Sequence, residues 1–473
     1  MTQRRARNIV VICSDEHNAR CLGAAGHPHV QTPHLDALAA RGTRFENAWT
    51  PSPICVPARA SMATGRWVHD LGTWDSVQAY TGEQPGWAHA ARDAGAHAVS
   101  VGKLHYRTED DDFGWTESIW PMHIVNGVGW VQGLPRRDPL VYEQASEMAT
   151  DCAIGESSYT RFDTVVTRDA VQWIDTNAGA DEPFALFVSL VAPHYPLAVM
   201  EEFVAPYLDL DLPLEIPPVD RDHPAVAGLA RNMPYHDHFD EDRTRFARQL
   251  YLGLCTWVDH NVGQVLAALD RAGVSDETTI VYTTDHGDMI GNKGLWGKSY
   301  LWQDSVRVPM IVAGPDVPVG VDHDTAVNLV DLHPTIVETV TDMDGTDRAG
   351  RSLVELANTP DPDRVNFTEY HDGGSITGGF AVRFGAMKYI HHVGFEPELY
   401  DLASDPDELH DLSPDPAFAA DLADGEAQLR AIVDPEDANA RAFSSQEALI
   451  AEFGGRNALL EAFHFDHTPT PVD

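Results

Sequence analysis

Two kinds of apolar pattern alternate along most of this chain. Continuous apolar runs end abruptly in polar clusters at 8–14, 98–101, 184–190 and 278–283. Such runs predict strands buried on both faces. Between them, apolar residues recur every three or four positions at 33–41, 86–94, 161–177 and 243–272, which predicts helices. Strands alternating with helices predict an α/β fold: a mostly parallel central sheet flanked by helices. After about Pro362 the pattern becomes short strand-like runs, at 365–370, 379–384, 387–391 and 398–402, with turn residues between them. These predict a small C-terminal antiparallel sheet subdomain. The expected organisation is a catalytic α/β domain over 1–362, the antiparallel subdomain over 363–440 and a tail over 441–473.

The polar clusters at the strand ends carry the candidate chemistry. In open parallel sheets, ligands bind beyond the carboxyl ends of the strands. The predicted strands end at Asp15-Glu16-His17-Asn18, Gly102-Lys103-Leu104-His105-Tyr106, His194 and Asp285-His286-Gly287-Asp288. One such end is an ordinary surface loop. Four of them, with the Pro-rich stretch around Cys55-Val56-Pro57-Ala58-Arg59, describe a site. Asp15, Glu16 and Asp285 offer hard oxygen ligands for a divalent cation, and His286 adds a nitrogen. That set suits Ca²⁺ or Mn²⁺ ahead of Mg²⁺. Arg59, Lys103 and Lys298 supply positive charge for a tetrahedral anionic group, and His105 and His194 can carry protons near neutral pH.

Composition narrows the partners. The chain has 473 residues and a net charge of -41, from 73 acidic and 32 basic residues. Such a surface excludes nucleic acid and anionic membrane as partners. The lysines are Lys103, Lys293, Lys298 and Lys388, so two of them fall at candidate-site positions. The five cysteines are scattered without a Cys-x-x-Cys pair, which argues against a disulfide framework. The basic N-terminus feeds directly into the first strand, and no run approaches a membrane span, which predicts a cytoplasmic protein. Trp74, Trp115, Trp120 and Trp130 fall in loops, where most are expected to pack against the scaffold.

These motifs resemble those of type I sulfatases, within the alkaline phosphatase superfamily. The likeness rests on Cys55-x-Pro57-x-Arg59, Thr32-Pro33-His34-Leu35-Asp36, Thr284-Asp285-His286-Gly287-Asp288 and Gly294-Leu295-Trp296-Gly297-Lys298, and on Glu398-Leu399-Tyr400-Asp401-Leu402 late in the chain. Asp285-His286 and Gly102-Lys103-Leu104-His105-Tyr106 resemble the choline-sulfatase and phosphonate-monoester-hydrolase branch. Glu16 departs from that branch, which often has Gln there. The resemblance implies that a formylglycine-generating enzyme oxidises Cys55 to formylglycine, which serves as nucleophile and metal ligand. It implies that Asp15, Asp285 and His286, with Glu16, hold one divalent metal ion. It also implies that Arg59 stabilises the hydrated aldehyde, Lys103 and Lys298 contact sulfate, His105 assists the diol and His194 serves the leaving oxygen. The expected activity is hydrolysis of a sulfate monoester; the alternative is hydrolysis of phosphonate monoesters or phosphodiesters by the same site. A non-catalytic binding protein is the poorer reading, because nucleophile, metal and anion positions are all present.

The tail stays apolar, with Leu449, Ile450, Phe453, Leu459, Leu460, Phe463 and Phe465. A free segment of that composition exposes a patch that folded chains avoid. It is therefore expected to dock, on its own domain or in a homodimer or homotetramer, with His464 or His467 near a substrate pocket.

Overall fold

A computed structural model describes residues 7–472 apart from 221, 342, 344, 346, 347 and 462–466, with the side chains at 143 and 460 also outside the description. The expected Phe463, His464 and Phe465 contacts of the tail lie outside the described residues. The main sheet is eight-stranded among the described residues. In spatial order its strands are Val321–His323, Thr43–Phe45, Met310–Ala313, Thr278–Thr284, Asn8–Asp15, Phe184–Pro193, His97–Lys103 and Glu117–Met122. Asn8–Asp15 pairs in parallel with Phe184–Pro193 on one side and Thr278–Thr284 on the other. His97–Lys103 continues the parallel set beside Phe184–Pro193. Met310–Ala313 runs antiparallel to Thr278–Thr284, so the sheet is mixed toward that edge.

The continuous apolar runs have a direct cause. Val10 and Ile12 pack into one core, while Ile9, Val11 and Cys13 pack into another across the sheet. Successive side chains of a strand point to opposite faces, so a strand covered on both sides needs apolar residues at every position. One face is covered by the helices Ser158–Asn177 and Glu241–Ala272. The second of these starts where Asp240 accepts a hydrogen bond from the Arg243 amide and stops at Gly273, whose φ of 72° admits a left-handed turn. The helices Cys55–Thr64 and Leu332–Val340 lie on the other face.

Sequence patterning missed the short edge strands. Glu117–Met122 contains Pro121 and a positive-φ Trp120, features that only an edge strand tolerates. The C-terminal sheet is antiparallel throughout, in the order Asn366–Tyr370, Gly379–Phe384, Met387–His392, Glu398–Asp401. Phe367, Phe380 and Val382 of this sheet pack against Leu429, Val433, Ala438 and Ala442. The late helix spans Pro435–Glu452 and so begins before Phe443, with Asp434 accepting from the Asp437 amide as its cap.

The tail docks on its own chain. Leu459 is buried with Val131 and Leu134. Beyond the undescribed stretch, the Tyr159 hydroxyl donates to the Thr468 carbonyl at 3.0 Å, and Val472 packs against the main core. Of the four loop tryptophans, Trp74 is buried and Trp115 packs edge-on against Trp87. Trp120 is 36% exposed and donates to Asp169 at 2.6 Å. Trp130 borders the cavity described next.

Candidate active site

The strands Asn8–Asp15, His97–Lys103, Phe184–Pro193 and Thr278–Thr284 deliver their polar ends to one place, against the N-terminus of the helix Cys55–Thr64. Asp15, Glu16, Lys103, Asp285 and His286 are fully buried there. One ligand atom from each of Asp15, Cys55, Asp285 and His286 lies within 4.8 Å of the others. A second overlapping group joins Asp15, Glu16 and His194.

Hydrogen bonds aim these groups. His286 Nδ1 lies 3.0 Å from the Gly287 carbonyl, and a carbonyl only accepts, so Nδ1 carries the proton. Nε2 is left with a lone pair, 3.0 Å from Cys55 Sγ. Orientation of a ligand imidazole through its other nitrogen is typical of metal sites. Asp285 Oδ1 accepts from the amides of His286 and Glu16, at 3.0 and 3.3 Å. Arg59 commits its donors here: Nε to Asp285 Oδ2 at 2.7 Å, Nη2 to Asp15 Oδ2 at 3.1 Å, and Nη1 to Ser189 Oγ and the Lys103 carbonyl at 2.9 Å each. Four of its N–H groups are thus used, two of them on the aspartates, which Arg59 holds in place. Lys103 Nζ pairs with Asp15 Oδ2 at 2.5 Å.

Lys298 forms the other side of the site. Its Nζ lies 2.7 Å from His194 Nε2, 3.0 Å from Glu16 Oε2 and 3.5 Å from Cys55 Sγ. His194 Nδ1 donates to the Tyr195 carbonyl at 2.6 Å, so Nε2 accepts from Lys298. Burial, reinforced by the Lys298 charge, holds the His194 pKa well below the usual histidine value, and the ring is neutral. Burial also lowers His105, with Lys103 and Arg59 adding repulsion, and among the described residues neither ring nitrogen of His105 has a hydrogen-bond partner. Burial and Asp15 push the Cys55 thiol up to about 12. Burial raises Glu16 to about 8 against the pull of Lys298, and its Oε1 has no hydrogen-bond partner among the described residues.

Above these groups sits a cavity of about 120 Å³. Tyr142, Tyr159, Tyr195, Tyr235 and Trp130 form much of its wall, and His467 from the tail closes one side. Tyr159 contacts both His194 and His467 edge-on, with ring centroids 5.7 and 5.0 Å away.

The family model described as Sulfatase matches residues 7–342. The chain belongs to the sulfatase family. It is a sulfuric ester hydrolase. A second model, described as the C-terminal part of N-sulphoglucosamine sulphohydrolase, matches residues 291–433. Arylsulfatase K of Danio rerio is 29% identical over 430 residues, covering 85% of this chain and 79% of that protein. Choline-sulfatase of Rhizobium meliloti (strain 1021) is also 29% identical, over 423 residues, covering 85% of this chain and 81% of that protein. The phosphonate monoester hydrolase of Agrobacterium radiobacter shares the fold, with a TM-score of 0.73 at 22% identity, covering 90% of this chain and 95% of that structure.

Within this sulfatase, the residues singled out by sequence all reach the site: Asp15, Glu16, Cys55, Arg59, Lys103, His105, His194, Asp285, His286 and Lys298. Sequence reasoning missed the tyrosine wall and Ser189. Tyr195 follows His194 directly and was within reach. Tyr142 and Tyr235 sit in long connections whose course no local pattern reveals.

Proposed function

We propose that this sulfatase cleaves the sulfate monoester of a compact alcohol or phenol with a formylglycine at position 55 and one divalent metal ion. The observation that carries the reading is the convergence of Cys55, Asp15, Asp285 and His286 within 4.8 Å, beside Lys298. The donor set fits a cation: two carboxylates, an imidazole lone pair and the position-55 atom, all buried, with Glu16 Oε1 unpartnered beside them. Asp15, Asp285, His286 and position 55 would hold the ion, with Glu16 at its edge. When bound, a divalent ion lowers the pKa of a hydroxyl and offsets anionic charge.

The protein's own groups account for the rest. A formylglycine-generating enzyme would replace the Cys55 thiol by an aldehyde, which hydrates to a diol. One diol hydroxyl attacks sulfur, the S–O bond to the leaving group breaks, and a sulfated residue 55 forms. Lys103 and Lys298 flank position 55 and balance the charge of the sulfuryl oxygens. Lys298, 3.5 Å from position 55, relays the proton of the attacking hydroxyl to the leaving oxygen, while neutral His194 accepts another of its N–H groups and holds it in place. Deprotonation of the second hydroxyl, by unpartnered His105, then restores the C=O bond and expels sulfate.

The wall of Tyr142, Tyr159, Tyr195, Tyr235 and Trp130 supports a leaving group that is aromatic or a quaternary ammonium. Ring faces attract a cation or a flat aromatic group more strongly than the hydroxyl rim of a sugar. The test is a substrate panel read by sulfate or phosphonate release: an aryl sulfate, choline sulfate, a sugar sulfate and a phenyl phosphonate ester. The expected order puts the aryl or choline ester at least tenfold above the others in kcat/KM. Preference for the sugar sulfate or the phosphonate ester would overturn the reading.

A further inference from the structure

A second cavity, of about 250 Å³, lies near the edge of the sheet, lined among others by Arg44, Arg307, Arg383, Glu46, Asp324 and Gln303. Its cations are not equally occupied. Arg44 is committed to Glu46 at 2.6 Å and Asp322 at 2.8 Å. Arg20, close by, takes Asp304 and Asp407, at 2.8 Å each. Among the described residues Arg383 donates only to the Gly385 carbonyl, at 3.2 Å, with Asp324, Glu408 and Glu46 attracting it from a distance. The Arg307 guanidinium makes no hydrogen bond or ion pair among the described residues, and Asp304 attracts it from a distance. Gln303 borders the same space and is buried, with its Oε1 unpartnered.

Two guanidiniums with no carboxylate at ion-pair distance among the described residues are unusual in a chain of net charge -41. Each carries its charge at neutral pH, and they repel each other in a partly desolvated space. A doubly charged tetrahedral oxyanion relieves both costs, because its edges match the planar N–H fork of arginine.

The position has a consequence for the reaction site. Arg307 directly follows the short helix Gln303–Val306. The Ser305 carbonyl accepts from the Gly287 amide and the Val306 carbonyl from the Thr50 amide, both at 2.9 Å. Gly287 adjoins His286, and Thr50 opens the loop that leads to Cys55. Arg307 is therefore one residue from the Val306 carbonyl and two from the Ser305 carbonyl, which brace the two walls of the reaction site.

We propose that this cavity is a second oxyanion site, binding inorganic sulfate or phosphate between Arg307 and Arg383, separate from the site where sulfate is released. The proposal does not depend on how position 55 reacts.

Titration calorimetry of the full chain with sodium sulfate, at ionic strength held constant with chloride, tests it. The wild type is expected to bind two sulfates, one in each site. Arg307→Gln and Arg383→Gln should each remove one and leave the other. Lys298→Ala should weaken only the reaction-site sulfate, so the sulfate that remains is the one Arg383→Gln abolishes in that background. If Lys298→Ala changes nothing while the arginine variants lose one sulfate, the second site stands and the reaction-site reading is what fails. Repeating the titration with phosphate assigns the site to sulfate alone or to both oxyanions, and either result supports it. Should Arg307→Gln fail to fold by circular dichroism, Arg383→Gln, on a more exposed strand end, decides. A sulfate stoichiometry untouched by Arg383→Gln would overturn the proposal.

Discussion

At the residue scale, the site is a buried cluster of opposed acids and bases, so removing one member strips a neighbour of its partner. Asp15, Glu16 and Asp285 face Arg59, Lys103 and Lys298, with Lys298 the least buried. Asp285→Ala is expected to lose bound metal and activity together, measured by elemental analysis beside turnover. Full metal content with full activity would be inconsistent with the ligand set. Lys103, paired with Asp15 and away from the leaving group, is expected to matter equally for all substrates. Lys103→Ala should lower kcat by about 10²–10³ whatever the alcohol, the scale of one lost oxyanion donor. His194→Ala should behave differently. Because His194 acts on the leaving oxygen through Lys298, the loss should be larger for alkyl than for aryl esters, seen as a steeper dependence of kcat/KM on leaving-group pKa. Asp15, Glu16, Lys103, His194 and Asp285 were legible in sequence because they follow the ends of apolar runs, and Arg59 and Lys298 because they sit in motifs. The role of Arg59 was not: only the geometry shows its donors spent on Asp15 and Asp285.

At the element scale, the strands buried on both faces were legible, since a parallel strand leaves an uninterrupted apolar run. Thr43–Phe45, inside the sheet, and Val321–His323, at its edge, are too short to leave a pattern. The C-terminal sheet was legible as an element, but its connection to the reaction site was not. That connection runs through Glu369, which accepts from His69 Nδ1 at 2.8 Å and lies 3.0 Å from His371 Nε2. The Glu369 amide also donates to the Pro51 carbonyl, at the start of the Cys55 loop. Burial raises the Glu369 pKa, but His69 and His371 outweigh it and hold it at about 2. A depressed carboxylate pKa means stability present above the ordinary value near 4.5 and lost as pH falls toward 2. Glu369→Gln should therefore cost about 3–5 kcal/mol at pH 6–7, the scale for breaking a buried pair. The gap from wild type should narrow below pH 4, read by denaturant melts. A gap constant from pH 3 to 7 would show that the pair contributes no linkage.

At the scale of the whole molecule, the late helices and tail fold back over the catalytic sheet. Gln446 donates to Asp75 at 2.9 Å and to the His371 carbonyl at 2.8 Å, and Arg136 Nη1 donates to Gln446 at 3.0 Å. These bonds brace the 75–78 and 124–136 loops on the cavity wall. The sequence required the tail to dock but not where, because an apolar segment specifies burial and not its partner. Truncation after Glu461 is expected to raise KM several-fold through loss of His467 and Thr468, with metal content unchanged. Light scattering on the same pair of proteins measures whether the tail also joins subunits: a mass of two or four chains for the intact protein supports that role, and a single-chain mass removes it. The claim on which the mechanism turns is the chemistry at position 55. Peptide mass spectrometry of active enzyme measures it directly, as the fraction of Cys55 converted to formylglycine across preparations matured to different extents. The expected result is a kcat per chain proportional to that fraction and extrapolating to zero with none converted. A preparation with high turnover and an entirely thiol-bearing Cys55 peptide would contradict it.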